Sequence, residues 1–430
     1  MGGKAHVALS KEKMRISSKS IGLFPLWYNC RCRLRSELEL GQAAISRRIR
    51  GKVMSGLPTA AWKVPYIDLK KEFESLKDGV MEAVTATLAS GQFILRGDVT
   101  KFETSLSKYL NVPRCVGLNS GTDAIFLALK VLNLAPGDEV ITASHTFVAT
   151  AAAIAHAGGK PVLVDVDQDG NLSPDNISEA ITGRTRAILP VHMNGHCCRM
   201  DRISQIADTH GLAIVEDAAQ AIGSKFKGKM AGSFGRFGCF SMHPMKILNA
   251  AGDAGVVSVR DEKDFERIVL LRNHGQQTKE RIVEFGFNSR LDNLQAAILN
   301  VKFGYLDWRI KRRRELAAQY EESLGDIQEI NRPAPPEPAG DFFDTFSSYV
   351  IRLKRRDELN QFLTKNYVET FIHWPTPVHL QRDLPLSHVS LPVTEQISRE
   401  VISLPVFPEM TSEQQFYVIE KIREFFGMNQ

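Results

Sequence analysis

From about residue 112 the chain repeats one phrase: a short apolar run, a small polar cluster, then a helical stretch. "VPRCVGLNSGTDAIFLALKVLNL" passes from a strand through Ser120-Gly121-Thr122 into a helix. "DEVITASHTFVATAAAIAHAG" makes the same move. "PVLVDVD" and "AILPVHMNG" are further apolar runs bounded by turn residues, and "ISQIADTHG" is a helix with Gly211 as its C-terminal cap. "LAIVEDAAQAIG" is a strand that ends in acid. Strands alternating with helices predict an α/β domain with a mostly parallel sheet flanked by helices. Such sheets bind ligands outside the carboxyl ends of their strands. Three polar clusters fall at such ends: Ser120 through Thr122, Glu216-Asp217 through Gln220, and Ser241 through Lys246.

Outside this stretch the pattern changes. "VPYIDLKKEFESL" (64–76) reads as an ordered lead-in to a helix. "LDNLQAAILNVKFGYLDWRIKRRRELAAQYEESL" (291–324) reads as one long helix. "NRPAPPEPAGDFFD" (331–344) is a Pro-rich loop, and "SSYVIRLKRRDELNQFLTKN" a strand then a helix. A last helix opens with Thr411 or Ser412 as its cap. This predicts a large domain over residues 61–305 and a smaller C-terminal α/β domain over 306–430.

Charge narrows the function classes. Twelve Lys/Arg and three Glu in residues 1–53 give that segment a net charge of +9, so the remainder carries −4 of the total +5. The basic character is therefore not a property of the folded part, and nucleic-acid binding is not inferred. Residues 1–60 are expected to be a basic extension, disordered, transit-like or a coding artefact with Met54 as the true start. No run of eighteen apolar residues predicts a membrane span. The six cysteines show no CxxC pair or zinc-like spacing, so no metal is expected, and they suit a reducing cytoplasm.

Lys246 stands in "FSMHPMKILNAAGDAGVV", where Asp253 is the one other charge. A lysine with a lowered pKa in a poorly solvated run is suited to forming a Schiff base. Pyridoxal phosphate needs such a lysine, a carboxylate for its pyridine nitrogen, a flat residue over the ring and a phosphate cup. Asp217 offers the carboxylate; as a residue before a helix it reads equally as an N-cap. Gln220, three residues on, faces the same way if that segment is helical, and would reach the ring hydroxyl. Gly121 and Thr122 open a helix whose free N–H groups suit a phosphate, although "SGTD" also matches a capping box. Ser241 offers a further hydroxyl. Phe147 is the candidate for the ring face or simply a core residue, with His145 as second choice. Gly252 and Gly255 permit a tight backbone beyond the lysine.

In combination, "NSGTDAIFLAL", "TFVATAAAI", "VEDAAQAIGS", "FSMHPMK", "GDAGVV", "GFNSRLDNLQAAIL", "HWPTPVHLQ" and "REVISLPVFPEMT" resemble the DegT/StrS-type sugar aminotransferases, which are fold-type-I pyridoxal-phosphate enzymes. The resemblance leaves out residues 1–60. It implies Lys246 as Schiff-base lysine and proton shuttle, and Asp217, Gln220, Phe147, Gly121, Thr122 and Ser241 around the cofactor. It implies that Asn288 reaches the phosphate of a neighbouring subunit, hence a homodimer with shared active sites. The expected reaction is ping-pong transamination from an amino acid, glutamate by resemblance, to the keto sugar of a nucleotide diphosphate sugar. Carbon 3 is weakly preferred over carbon 4. Arg290 is a candidate contact for the diphosphate. A sugar dehydratase or deoxygenase, a cyclitol aminotransferase and an inactive regulatory homologue are the alternatives; the retained lysine favours transamination. Arg96, Asn194 and the segment after Lys246 depart from the family pattern.

Overall fold

The computed structural model describes residues 61–336, 340–386 and 389–428. The extension expected over residues 1–60 lies outside them, as do Cys30 and Cys32. By its contacts, Ala60–Gln430 forms one unit. The lead-in passes through a bridge at Val64 into α1 (Leu69–Ser90), whose first turn is capped by Asp68, and then α2 (Gly97–Leu110). Strand and helix then alternate: β1 (Arg114–Leu118), α3 (Gly121–Val131), β2 (Glu139–Ala143), α4 (Val148–His156), β3 (Lys160–Val164), α5 (Pro174–Ala180), β4 (Thr185–Leu189), α6 (Met200–His210) and β5 (Ala213–Asp217). A small β6 (Lys225–Phe226) and β7 (Lys229–Met230) hairpin precedes β8 (Phe237–Ser241) and β9 (Gly255–Val259).

These strands build a seven-stranded sheet in the order β1-β9-β8-β5-β4-β2-β3. β9 runs antiparallel to β1 and β8, and the remaining pairings are parallel. Successive side chains leave opposite faces of a strand. Val140, Ala187, Val215 and Val257 therefore join a core beneath α3 and α4, while Ile141, Ile188, Ile214 and Val256 join the core on the α2 and α6 side. The result is a parallel-type sheet covered on both faces. Gly211 ends α6 at φ +65, the left-handed cap expected of it.

After β9 come α7 (Glu262–Leu271), a hairpin of β10 (Gln276–Thr278) and β11 (Arg281–Ile282), α8 (Asn293–Phe303) and α9 (Leu306–Leu324). The single long helix expected over 291–324 is thus two. The N–H groups of Gly304 and Tyr305 bond carbonyls three residues back, and Tyr305 leaves helical geometry at φ −108. Glycine is a weak helix former, so the chain breaks there. β12 (Phe342–Phe343) follows in the Pro-rich stretch read as loop, and pairs with β6. Then come β13 (Tyr349–Arg352), α10 (Arg356–Lys365), α11 (Pro392–Glu400), β14 (Val401–Leu404) and α12 (Ser412–Phe425). Thr411, not Ser412, caps α12, in a reciprocal capping box with Gln414. A third core gathers α9, α10, α12 and the β13–β14 pair, with Val64 among them.

Candidate active site

Strand alternation at the end of β5 sends two adjacent carboxylates to opposite faces. Glu216 is fully buried, and its oxygens accept the N–H groups of Gly232, Phe234 and Gly235, each at 2.7 Å. His192 Nε2 donates to it at 2.9 Å, because the Cys198 N–H occupies Nδ1. Asp217 faces the cavity. It accepts the Thr150 hydroxyl at 2.9 Å and the Ala219 N–H at 3.1 Å. Burial pushes its carboxyl above the usual range, although Thr150 and Ala219 pull the other way and Lys246 weighs on the same side as they do. No helix follows Asp217: residues 218–223 form turns, so the N-cap reading falls, as does the helical argument for Gln220. The Asx-type bond to Ala219 competes with a helix start and wins.

Lys246 sits in a turn after β8, its N–H on the His243 carbonyl at 2.8 Å. Burial pushes its amine below the ordinary lysine range, and the Asp217 carboxylate draws it partway back. Behind this turn lies a dense polar network. Asn249 donates to the Pro244 carbonyl at 2.7 Å and to Glu72 at 3.0 Å, and accepts from Lys302 at 2.8 Å. Arg309 bonds the Ile247 carbonyl and Glu72, both at 2.9 Å. Burial alone would raise the Glu72 pKa, but Arg309 and Lys302 hold it below the usual range.

Ser120 caps α3, its hydroxyl accepting the Asp123 N–H at 3.1 Å. The Ala124 N–H bonds the Ser120 carbonyl. The N–H groups of Gly121 and Thr122 have no partner among the described residues, which is the usual state of a helix N-terminus. A Cβ on Gly121 would stand 2.6 Å from Ser241 Cβ, so the two segments close a cradle that only glycine permits. Gly255 serves the same approach: a side chain there would strike the Ser120 carbonyl.

Gly121, Thr122, Phe147, Asp217, Gln220, Ser241 and Lys246 thus line one cavity of about 340 Å³. Gln220 Oε1 accepts the Asn194 N–H at 2.8 Å, and Asn194 holds a left-handed φ of +57. Phe147 is 54% exposed, which sets aside its reading as a core residue. Asn288 is not brought to this wall; it is exposed and bridged to Asn273. Arg290 bonds Asn273 at 3.2 Å, and Arg96 precedes α2, both away from the cavity lining. His145 lines a neighbouring cavity instead, buried, with its pKa pushed down to about 4 chiefly by burial. Sequence reasoning missed Thr150, Tyr66, Phe371, His373 and Trp374. The motif "HWPTPVHLQ" contained two of them, but nothing in the spacing showed that residues 66 and 371–374 meet.

These residues fit pyridoxal phosphate. The cradle offers two backbone donors at the positive end of α3, Lys246 an amine with lowered proton affinity, and Asp217 a buried acid with few donors. The model of the DegT/DnrJ/EryC1/StrS aminotransferase family matches residues 74–423. The "Pleiotropic regulatory protein" of Geobacillus stearothermophilus is 41% identical over 84% of this chain and 98% of its own length. The dTDP-3-amino-3,4,6-trideoxy-alpha-D-glucose transaminase of Streptomyces venezuelae is 39% identical over 84% of this chain and 96% of its own. The crystal structure of NtdA from Bacillus subtilis, with bound cofactor PMP, superposes at a TM-score of 0.78 with 31% identity, covering 86% of each chain.

Proposed function

The chain belongs to the DegT/DnrJ/EryC1/StrS aminotransferase family, whose cofactor is pyridoxal phosphate, and we propose that it transfers an amino group from glutamate to the keto sugar of a nucleotide diphosphate sugar. One observation carries this reading: a buried lysine amine whose nearby counter-charge is a buried carboxylate, beside a glycine-built cradle at the carboxyl edge of the sheet. When bound, the cofactor would supply an electron-withdrawing ring and, beside it, the aldehyde carbon that holds the amino group between the two half-reactions.

The chain's own residues supply the rest. Lys246 Nζ takes the proton from the donor's α-carbon and returns a proton in the opposite half-reaction, a task favoured by its lowered pKa. Asp217 pairs with the pyridine nitrogen; a positive charge there stabilises a carboxylate that burial alone disfavours. The Gly121 and Thr122 N–H groups and the Ser241 hydroxyl hold the phosphate, Phe147 covers the ring, and Gln220 meets the ring oxygen. Residues 61–305 act as the cofactor-binding part, and 306–430 as the smaller one. Asn288 serves the phosphate of a second copy in a homodimer. The exposed apolar side chains of Ile282, Val283 and fully exposed Phe285, on and beside the β10–β11 hairpin, suit such an interface. Among the described residues no helix is long and apolar enough to cross a membrane. A cytoplasmic location suits the buried, unpaired Cys115, Cys197, Cys198 and Cys239.

The test is the absorbance of the protein with pyridoxal phosphate, beside Lys246→Ala, before and after glutamate. A visible band that needs Lys246 and is bleached by glutamate is expected. Its absence would leave the regulatory role in the name of the Geobacillus relative as the better reading.

A further inference from the structure

The segment that follows β2 carries a threonine on either side of Phe147. Phe147 is the N-cap of α4, and Thr150 is the helix's third residue, its N–H on the Phe147 carbonyl at 3.1 Å. Thr146 precedes the helix, and its Oγ1 lies 2.8 Å from Thr150 Oγ1. Thr150 gives its one hydroxyl proton to Asp217 Oδ2 at 2.9 Å, so Thr146 is the donor in the bond between the two threonines. The two hydroxyls therefore form a directed line that ends on one carboxylate oxygen, while the other, Oδ1, takes the Ala219 N–H. Thr146, Thr150 and Asp217 are 2%, 1% and 6% exposed, which leaves no surface here for a second copy to alter.

We propose that Thr146 and Thr150 are positioning residues for the reaction: their hydroxyls hold the Asp217 carboxylate ionised and aimed at the pyridine nitrogen. The inference rests on the pairing of Asp217 with that nitrogen, proposed above, and deepens it. A donor to the charged form of an acid favours that form, and a hydroxyl that itself accepts a bond donates more strongly. Burial works against the carboxylate, and the Thr150 hydroxyl leads the groups that offset it, ahead of the Ala219 N–H, Lys246 and His192. Cys239, paired with Asp217 across β5 and β8, is a thiol kept neutral by burial, and Glu216 leaves the opposite face of β5. Without the two hydroxyls Asp217 would hold a proton itself, and could not support a positive charge on the nitrogen. One short segment, residues 146–150, thus carries both Phe147, read as covering the ring, and the hydroxyls that set the charge opposite its nitrogen.

The first measurement uses the full chain without cofactor. Infrared difference spectra across pH, with Asp217→Asn to identify the band, give the titration midpoint of the Asp217 carboxyl. Thr150→Val keeps the branched shape and removes the donor, and should raise that midpoint by about one pH unit. Thr146→Val weakens the donor without removing it, and should raise the midpoint by about 0.3 unit. Thr150→Ser should return it to the wild-type value. An unmoved midpoint in Thr150→Val overturns the inference and leaves the pairing of Asp217 with the nitrogen standing. So does an equal rise in Thr150→Ser, which would trace the effect to the threonine methyl and hence to packing. The second measurement is stopped-flow absorbance of the holoenzyme with saturating glutamate. Thr150→Val should slow the half-reaction about tenfold, with Thr150→Ser within about twofold of wild type. A Thr150→Val rate equal to wild type also overturns the inference. An Asp217→Asn enzyme that runs at wild-type speed overturns the pairing itself, and this inference with it.

Discussion

The turn that carries Lys246 has buried charge on both sides, and the two sides are built oppositely. Behind it, Glu72 meets Arg309, Lys302 and Asn249, and nearly every donor has its acceptor. In front, among the described residues, Lys246 has the carboxylate of Asp217 bearing on its charge, and Asp217 itself is met by one hydroxyl and one N–H. A saturated cluster fixes geometry. A sparse one keeps proton affinities displaced and leaves room for a ligand. The same contrast recurs one residue apart on β5, where Glu216 is saturated by backbone donors and Asp217 is not.

If the contrast is right, damage in front should cost chemistry and damage behind should cost stability. Lys246→Ala should lower the glutamate half-reaction, read by stopped-flow absorbance, by about 10³- to 10⁴-fold with no loss in urea midpoint. A marked fall in midpoint would mean that the front cluster is structural too. Glu72→Gln leaves buried Arg309 and partly buried Lys302 short of a carboxylate, so urea unfolding should show a loss of about 3–5 kcal/mol. Asp217→Asn keeps the shape but removes the charge, and should slow the same half-reaction by about 10²- to 10³-fold while cofactor still binds. Gly121→Ala forces Ser241 aside, and fluorescence titration should show cofactor affinity weakened by about tenfold, or about 1.4 kcal/mol.

The smallest effect concerns pH. In the cofactor-free protein Lys246 has a folded pKa below that of the unfolded chain. The unfolded state then binds more protons between the two values, so stability contributed at this position rises with pH through that window. The stability advantage of Lys246→Met over the wild type should therefore shrink as pH rises towards the ordinary lysine range, with a slope of at most about 1.4 kcal/mol per pH unit. A gap that widens would place the Lys246 shift in the other direction.

The sequence carried the front cluster far better than the back. Strand ends are marked locally: "SGTD" shows a capped helix start, "IVED" a strand that ends in acid, and "HPMK" a lysine among apolar neighbours. Alternation of strand and helix then brings those ends to one edge of a parallel sheet. The back cluster joins residues 72, 249, 302 and 309, and no local pattern marks that meeting. The rings of Tyr66 and Phe371 are the same case, since they become neighbours only through the third core. Local chemistry also misled. Asp217 precedes Ala218-Ala219-Gln220, good company for a helix, yet its side chain takes the Ala219 N–H and the chain turns. The apolar spacing of 291–324 continued through Gly304, where the backbone did not.

The antiparallel strand β9 has a consequence for how the protein matures. The earliest strand of the sheet, β1, has β9 as its strand partner, with residue 118 beside residue 255. The first strand made is thus an orphan until the last is in place, a pairing of high sequence separation and slow closure. The cradle at Gly121 depends on that closure, because Gly255 lies beneath the Ser120 carbonyl and Ser241 stands against Gly121. On the proposed reading of the cradle as the phosphate site, a partly folded chain would have no finished cup to offer, and capture of the cofactor would follow completion of the sheet.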